Sequence, residues 1–358
     1  MKIAATLLAL VMAPMVLAET LIFEDNFDKL DFKRWQHELT MGGGGNWEFQ
    51  VYRNNRTNSF IDEGVLHIQP SLTIDYLGEA TMKGGDFAIW GGAPADTCTS
   101  NAFYGCERNA AYGNYINPVM SARLRSVNSF SFTYGRLEVV AKLPKGDMIW
   151  PAIWLLPADL EYGTWPASGE IDLMESRGSD ASYCKAGGNN AFASTLHWGP
   201  NWDQNRYELT TAQYVHPTSL GDDFHTYGLL WTEDRLMTYI DDESNVVLDL
   251  DLTQQSFWER GGFGAGVDNP WKGEPNSAPF NRDFYLIFNV AVGGTNGYFP
   301  DHDCGKTYRN DDGQSVNTFW NSADKWLPTW NYPATHDSAL KIDSVRVWSL
   351  DGAEQIIQ

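Results

Sequence analysis

Short segments rich in β-branched and aromatic residues recur along this chain, and turn-forming Gly, Asn, Asp or Pro residues bound each of them. Helical periodicity is scarce, and only Thr253–Glu259 predicts a short helix. Many short strands with this punctuation are typical of an all-β sandwich or barrel. The predicted strands are Val65–Gln69, Gly135–Leu143, Ile149–Leu156, Glu170–Glu175, Ser194–His197, Thr226–Trp231, Arg235–Ile240, Phe284–Val292 and Ser344–Ser349.

One predicted strand carries an unusual concentration of acids. The segment Gly169–Ser176 has three carboxylates within six positions, interleaved with Ile, Leu and Met. Side chains alternate between the faces of a strand, so Glu170 and Asp172 share one face. Glu175 would point to the opposite face unless a β-bulge around Leu173–Met174 returned it. A helix gives no better arrangement, because Glu170 and Glu175 would then lie about 140° apart.

Two interpretations of this acidic strand remain open. Unpaired buried carboxylates are costly, so acids inside such an apolar strand need a reason, and acid–base chemistry in a cleft is one. A solvated edge strand with three surface acids is the alternative. The residues of the strand do not by themselves decide between the two.

The segment Gly169–Ser176 resembles the E-x-D-x-x-E signature of glycoside hydrolase family 16, in its bulged, laminarinase-like form. The GTNGYFPD stretch further along resembles animal laminarinases and the β-1,3-glucan recognition proteins. The resemblance implies a concanavalin-like β-jelly roll with a concave substrate cleft, in a single catalytic domain over residues 19–358. The segments that match, in family order, are GRLEVVAKLP (135–144), WPAIWLLP (150–157), YGTWPASGEIDLMES (162–176), TLHWGP (195–200), FHTYGLLW (224–231), FYLIFNVAVGGTNGYFPD (284–301) and IDSVRVW (342–348).

The resemblance also implies a function and assigns roles to the three acids. It implies a retaining endo-β-1,3-glucanase that hydrolyses laminarin-type glucan by double displacement. Glu170 would be the nucleophile and Glu175 the acid/base. Asp172 would be a helper that shares a proton or hydrogen bond with Glu170. This mechanism requires no cofactor.

Many members of the family carry a structural calcium ion on the convex side of the fold. The comparable region here is Phe23–Phe27, with Asp343 near the last strand. Asn26 stands where an acidic residue is common, which argues against a calcium site. The sequence therefore predicts no metal in the mechanism.

Three further polar residues match family positions that line the cleft. Arg136 would lie on the concave sheet. His197 would lie near the acid/base, although a half-buried structural histidine is the alternative. Asn289 lies in a very apolar strand and needs a hydrogen-bond partner, for which a substrate hydroxyl and a buried backbone group serve equally.

Tryptophan is concentrated near the acidic strand. Trp150, Trp154 and Trp165 precede it, and Trp198 follows it. Sugar rings present flat C–H faces to indoles, so tryptophans beside carboxylates suit a polysaccharide groove. Packing in the core is the alternative. Strand alternation gives Trp150 and Trp154 the same face and hence the same environment.

Residues 1–18 have the pattern of a secretory signal: a charge at Lys2, an apolar run from Ile3 to Leu17 and a small-residue cleavage site at Ala18. No later stretch is long and apolar enough to cross a bilayer. The sequence therefore predicts a secreted, extracellular protein.

Export favours disulfides, and the chain has four cysteines. Four cysteines allow three pairings. We prefer Cys98–Cys106 with Cys184–Cys304, because the first pair closes a short polar loop.

The formal net charge of −21 limits the class of partner. Such an acidic surface repels nucleic acid and anionic lipid, so neither nucleic acid nor membrane is an expected partner. The expected partner is a polysaccharide substrate, β-1,3-glucan, bound by a monomer.

Two other functions remain open. The β-1,3-glucan recognition proteins share much of this pattern but typically lack one or both glutamates, whereas Glu170 and Glu175 are both present here. A family 16 hydrolase of mixed-linkage glucan, agar or carrageenan is the other alternative. The bulged motif disfavours the first of these substrates, and the acidic surface disfavours sulfated galactans.

Overall fold

Two large antiparallel sheets enclose an apolar core in the computed structural model, which describes residues 19–91 and 97–350. This arrangement confirms the predicted all-β jelly roll. The predicted signal, residues 1–18, lies outside the described residues. Within the described ranges, no helix has the length and apolar character needed to span a membrane.

Twenty strands are found in the described part of the chain. They are β1 (Glu19–Asp25), β2 (Gln36–His37), β3 (Gln50–Tyr52), β4 (Ser59–Asp62), β5 (Val65–Ile68), β6 (Ser71–Leu72), β7 (Asp86–Ala88), β8 (Glu107–Asn109), β9 (Val119–Ser121), β10 (Arg123–Arg125), β11 (Gly135–Lys142), β12 (Ile149–Pro157), β13 (Glu170–Ser176), β14 (Ala191–His197), β15 (Thr211–Val215), β16 (His225–Trp231), β17 (Arg235–Ile240), β18 (Asp242–Asp251), β19 (Phe284–Val292) and β20 (Leu340–Leu350). Every predicted strand is present. Most ends agree within one residue, whereas β14 begins three residues and β20 four residues earlier than predicted.

The larger sheet has eight strands in the order β18–β17–β16–β11–β20–β5–β4, with β1 also paired to β20. The second sheet has seven strands in the order β15–β14–β13–β12–β19–β10–β2. All pairs in these two sheets are antiparallel. Two small sheets, β3–β9–β6 and β7–β8, accompany them.

Helices are short. The described residues contain α1 (Ile74–Leu77), α2 (Glu79–Gly84), α3 (Phe257–Gly261), α4 (Ser315–Asn321) and α5 (Ala323–Trp326). The predicted helix near Thr253–Glu259 is α3. It begins after Ser256, which forms a capping box with Glu259. Sequence periodicity did not reveal the other four helices, because a helix of one or two turns repeats its apolar pattern too few times.

The alternation of apolar residues explains how the strands pack. In β11, Leu137 and Val139 are fully buried in the core, while the residues between them are partly exposed. Every residue of β19 is buried, as expected for a continuous apolar run inside a sheet. Across the core, Trp231 of the larger sheet meets Phe284 of β19 edge to face, with ring centroids 5.5 Å apart.

Both preferred disulfides are present, Cys98–Cys106 and Cys184–Cys304. The second joins residues 120 positions apart and ties the turn between β13 and β14 to the segment that follows β19. Asp303 reinforces this link, because its carboxylate accepts the backbone N–H groups of Lys185 and Ala186, each at 2.9 Å.

The residues in the region expected for calcium do not fit a calcium ion. Glu24 Oε1 and Asn26 Oδ1 accept hydrogen bonds from Arg346, at 2.7 and 2.9 Å. The guanidinium thus already supplies positive charge to oxygens that would have to ligate the ion. Calcium needs about six to eight oxygen ligands, and these two are already engaged.

Arg136 does not lie in the predicted cleft. It lies on β11 of the eight-stranded sheet, whereas the acids lie on the seven-stranded sheet. Its guanidinium pairs with Glu19 and Glu138 and lies 4.2 Å from the ring centroid of Trp348. Because Leu137 faces the core, Arg136 faces outward. The prediction for Arg136 is therefore corrected: it supports the outer face of the larger sheet.

Candidate active site

The acidic strand β13 lies inside the seven-stranded sheet, between β12 and β14, so it is not an edge strand. Its register with β14 shifts between Asp172 and Glu175. Two residues, Leu173 and Met174, therefore lie opposite the single residue Ser194. This is the predicted β-bulge, and it returns Glu175 to the face that carries Asp172.

The side of the seven-stranded sheet that points away from the core is called here the carboxylate face. Glu170 is paired with His197 of the neighbouring strand β14, and Asp172 is paired with Trp154 of the neighbouring strand β12. Directly opposed side chains share a face. Of the predicted site residues, the structure brings together Glu170, Asp172, Glu175, His197, Trp150, Trp154, Trp165 and Asn289.

An aromatic stack holds Glu175. The indole N–H of Trp150 donates to Glu175 Oε1 at 2.8 Å. Tyr298 lies flat on Trp150, with ring centroids 3.8 Å apart and planes 6° apart, and the guanidinium of Arg177 lies 4.0 Å from the Tyr298 centroid. Trp150 is only 6% exposed. It therefore orients the carboxylate and offers little open surface to a ligand, which corrects its predicted role in substrate binding.

A more exposed indole holds Glu170. The N–H of Trp165 donates to Glu170 Oε2 at 2.7 Å. Trp165 is 42% exposed, and its ring centroid lies 5.6 Å from that of His197. An indole anchored at one edge and open to solvent on its ring is suited to stack on a sugar.

Asp172 is buried between the two glutamates and faces a histidine. Its Oδ2 lies 3.3 Å from His197 Nε2. The side-chain amide of Asn205 lies 2.7 Å from His197 Nδ1, and Tyr207 stacks on the imidazole with centroids 5.2 Å apart. The predicted His197 thus belongs to the site, where three side chains contact it.

Burial and mutual repulsion hold protons on this cluster. Burial, followed by the charge of Asp172, raises the pKa of Glu175. Burial and the charge of Glu170 raise the pKa of Asp172. Burial also raises the pKa of Glu170, but the charge of His197 and hydrogen bonds from Trp165 and Asp172 oppose it. His197 and an indole N–H oppose the rise in both glutamates, so the two differ mainly at Asp172, which donates a hydrogen bond to Glu170 but repels Glu175. Asp172 therefore favours loss of the proton from Glu170 before Glu175.

The surrounding acids make His197 a strong base. Burial alone would lower its pKa, but the close contact with Asp172 and the charges of Glu170, Asp172 and Glu175 raise the pKa of His197 to about 9. The contact with Asn205 pulls the other way, because an amide N–H donated to Nδ1 favours the neutral ring. Rotation of that amide presents its oxygen and accommodates the charged ring.

Trp154 and Asn289 bind each other. The indole N–H of Trp154 donates to Asn289 Oδ1 at 2.8 Å, so the partner required by the buried amide is a side chain. The guanidinium of Arg123 lies 5.2 Å from the Trp154 ring centroid. Trp154 is half-buried, so part of it lines the carboxylate face.

Trp198 is a core residue, which corrects its predicted role in substrate binding. It is fully buried, packs against Phe257 with centroids 4.9 Å apart, and donates its indole N–H to Thr210 Oγ1 at 2.8 Å. The physical reason is alternation: Trp198 directly follows His197, so it points to the opposite side.

One group of the described residues has the spacing of a metal site. A ligand atom from each of Glu170, Asp172 and His197 lies within 4.8 Å of the others. Ligation requires these groups to be deprotonated, whereas the raised pKa values of Asp172 and His197 favour a proton on these two groups. The arrangement therefore fits proton sharing better than metal binding.

Sequence reasoning missed the residues that support the site from loops and neighbouring strands. They are Arg123, Arg177, Asn205, Tyr207 and Tyr298. Tyr298 lies in the GTNGYFPD stretch, so its segment was recognised but not its role. The others carry no local signal.

We predict that Asp172→Asn lowers the pKa of His197, because it removes the charge that faces Nε2. An NMR titration of the imidazole measures this, with His67 of β5 as the internal control that stays unchanged. Raised pKa values mean that the folded state binds more protons than the unfolded state. Wild-type stability should therefore fall as pH rises from about 6.5 to about 9, and less steeply in the variant. An unchanged His197 titration would contradict the pairing.

Comparison with known proteins identifies relatives of this chain. Residues 99–258 match the model for glycosyl hydrolases family 16. The chain is 48% identical to the "Beta-1,3-glucan-binding protein" of Penaeus monodon, over 94% of this chain and 92% of that protein. It is 31% identical to the "Glucan endo-1,3-beta-glucosidase" of Cryptopygus antarcticus, over 88% and 93% of the two chains.

A solved structure agrees in fold. The laminarinase from Rhodothermus marinus matches with a TM-score of 0.57 and 25% identity, over 94% of this chain and 99% of that one. The family model, the relatives that align over nearly the whole chain and the shared fold agree with one another. This chain therefore belongs to glycosyl hydrolases family 16.

Proposed function

We propose that this protein is a secreted, retaining endo-β-1,3-glucanase that hydrolyses laminarin-type glucans. The observation that carries the proposal is the pair of glutamates on one bulged strand, each held by its own indole N–H. Retaining glycosidases need two carboxyl groups about 5–5.5 Å apart, one as nucleophile and one as acid/base. A relative named for endo-1,3-β-glucosidase activity supports the substrate class.

In the first step, Glu170 attacks the anomeric carbon and Glu175 protonates the leaving oxygen. The Trp165 N–H, the proton shared with Asp172 and the charge of His197 favour the carboxylate form of Glu170. Burial and the charge of Asp172 keep a proton on Glu175. The environments therefore distinguish two chemically identical side chains, as acid–base catalysis requires.

In the second step, Glu175 takes a proton from water, and the water displaces Glu170 from the sugar. Formation of the glycosyl-enzyme removes the negative charge of Glu170. The repulsion that raised the pKa of Asp172 is then weaker. Asp172 and His197 can thus adjust their shared protons as the charge on Glu170 changes.

Carbohydrate binding fits the aromatic side chains around the acids. Trp165 and Tyr207 both lie against the ring of His197 and are 42% and 40% exposed. Sugar rings can stack on such faces while their hydroxyls reach the polar groups between them. Two disulfides in the described chain support a location outside the cell.

The second candidate function is glucan recognition without hydrolysis. It is favoured by the name of the relative that is 48% identical. Recognition needs stacking surfaces and hydroxyl partners, but it does not need a protonated glutamate beside a charged one. The acid pair therefore favours the enzyme.

We expect wild-type protein to cleave laminarin within the chain and to release oligosaccharides of mixed size early. A reducing-sugar assay with product sizing measures this, with lichenan, curdlan, agarose and carrageenan run in parallel. Binding of laminarin without any cleavage would favour the recognition function. Faster cleavage of agarose or carrageenan would overturn the substrate class.

Glu170→Ala and Glu175→Ala should each lose several orders of magnitude in turnover while remaining folded and able to bind glucan, because both carboxyls act in turn. Glu233→Ala, in an exposed turn of the other sheet, is the matched control and should keep its activity. With an activated substrate and azide, Glu175→Ala should give the β-glycosyl azide and Glu170→Ala the α-azide. Proton NMR showing α-anomer first from wild-type enzyme would mean inversion and refute the role of Glu170.

Variants of two tryptophans separate binding from folding. Trp165→Ala should lose about 1–3 kcal/mol of transition-state binding with little change in melting temperature. Trp165→Phe keeps a ring but not the N–H, so it isolates the contribution of the hydrogen bond to Glu170. Trp198→Ala should lose about 3–5 kcal/mol of folding free energy. Equal melting temperatures for Trp165→Ala and Trp198→Ala would contradict this assignment.

A further inference from the structure

A buried hydroxyl lies opposite the bulge in β13. Ser194 is the single β14 residue that faces both Leu173 and Met174. Leu173 has no partner in the register of β12 or of β14. The hydroxyl of Ser194, which is fully buried, donates to the Leu173 carbonyl at 2.7 Å. The side chain of Ser194 thus forms a hydrogen bond with Leu173, the residue that has no pairing partner in either neighbouring strand.

This hydroxyl is held in turn from the opposite sheet. Thr238 of β17, 1% exposed, donates its hydroxyl to Ser194 Oγ at 2.9 Å. The backbone N–H of Leu248 donates to Thr238 Oγ1 at 3.1 Å. Each hydroxyl therefore donates one hydrogen bond and accepts one, and the chain Leu248–Thr238–Ser194–Leu173 crosses the core between the sheets.

The far end of this chain is a second register shift. Thr238 is paired with Leu248, whereas Tyr239 is paired with Val246, so Val247 is the extra residue on β18. The Leu248 N–H next to this irregularity finds its acceptor in the Thr238 side chain. The hydroxyl pair thus connects an irregularity of one sheet to an irregularity of the other.

We infer that Ser194 and Thr238 are positioning residues, whose hydroxyls hold the β13 bulge against the eight-stranded sheet and thereby fix the spacing of Glu170 and Glu175. The inference rests on the proposed hydrolase function for its kinetic consequences. Two hydroxyls inside an apolar core are costly unless they are bonded. Here Ser194 bonds the bulge and Thr238 bonds Ser194. A strand that lost the bulge would send Glu175 to the other face.

The test removes the hydroxyls one at a time. Ser194→Ala deletes the bond to Leu173, and Thr238→Val keeps the shape of the side chain while deleting the bond to Ser194. We expect kcat for laminarin to fall by roughly 10–100-fold in Ser194→Ala, because misplacement by about 1 Å can cost this much, and to fall less in Thr238→Val. KM should change little. Thr238→Ser, which retains the hydroxyl, should restore kcat.

The pH profile separates positioning from simple loss of stability. The basic limb of kcat/KM reports loss of the proton from Glu175. A relaxed bulge would increase the distance of Glu175 from Asp172, so the limb should shift to lower pH in Ser194→Ala. The matched control is Ser121→Ala, which removes another fully buried hydroxyl–carbonyl bond, 2.6 Å to Val290, and should leave the profile unchanged.

Each result decides the inference. A wild-type kcat and pH profile in Ser194→Ala would overturn it, and so would failure of Thr238→Ser to restore activity lost in Thr238→Val. If wild-type protein does not hydrolyse glucan, the proposed function fails, and hydrogen–deuterium exchange of Glu170–Ser176 tests the positioning role alone. Faster exchange in Ser194→Ala than in Ser121→Ala supports it, and equal exchange refutes it. If Ser194→Ala does not fold, the same comparison is made with Thr238→Val.

Discussion

A carboxylate removed from water is among the costliest groups in a folded protein unless it has a partner. Strand β13 contains one buried carboxylate, Asp172, and two half-buried ones, Glu170 and Glu175. Each receives a partner of its own: an indole N–H for Glu170, another for Glu175 and an imidazole for Asp172. These partners come from the loop before β13, from β12 and from the end of β14. Three acids can therefore lie together only because the strands around β13 and the aromatic stack behind Glu175 supply these partners.

Local sequence patterns predicted much of the structure. The predictions failed where the structure depends on contacts between residues that are distant in the sequence. The odd interval between Glu170 and Glu175 required a bulge, and alternation located most strands. Arg136 was misplaced because a strand's sequence does not say which sheet it joins; β11 pairs with β20, some two hundred residues away. The wrong prediction for Trp198 could have been avoided, because its neighbour His197 was already assigned to the opposite face of the sheet. Tyr298 depends on a loop path that no periodicity encodes.

Glucan binding and glucan hydrolysis make different electrostatic demands on one fold. Binding is satisfied by exposed rings such as Trp165 and by polar groups at the rim. Hydrolysis also requires acids whose pKa values are raised by burial and by one another, and such groups lower the stability of the folded state as pH rises. A protein that only bound glucan would gain stability from losing these acids. This chain retains all three, together with the residues that satisfy them.

The Cys184–Cys304 link has a consequence for the order in which the molecule assembles. Its cysteines are 120 residues apart, so the bond can close only after the β13–β14 turn and the segment beyond β19 have met. That segment carries Tyr298, which supports Trp150 and through it Glu175. Folding must therefore bring the segment that carries Tyr298 to the β13–β14 turn before the bond forms, and the bond then restricts how far the two can separate.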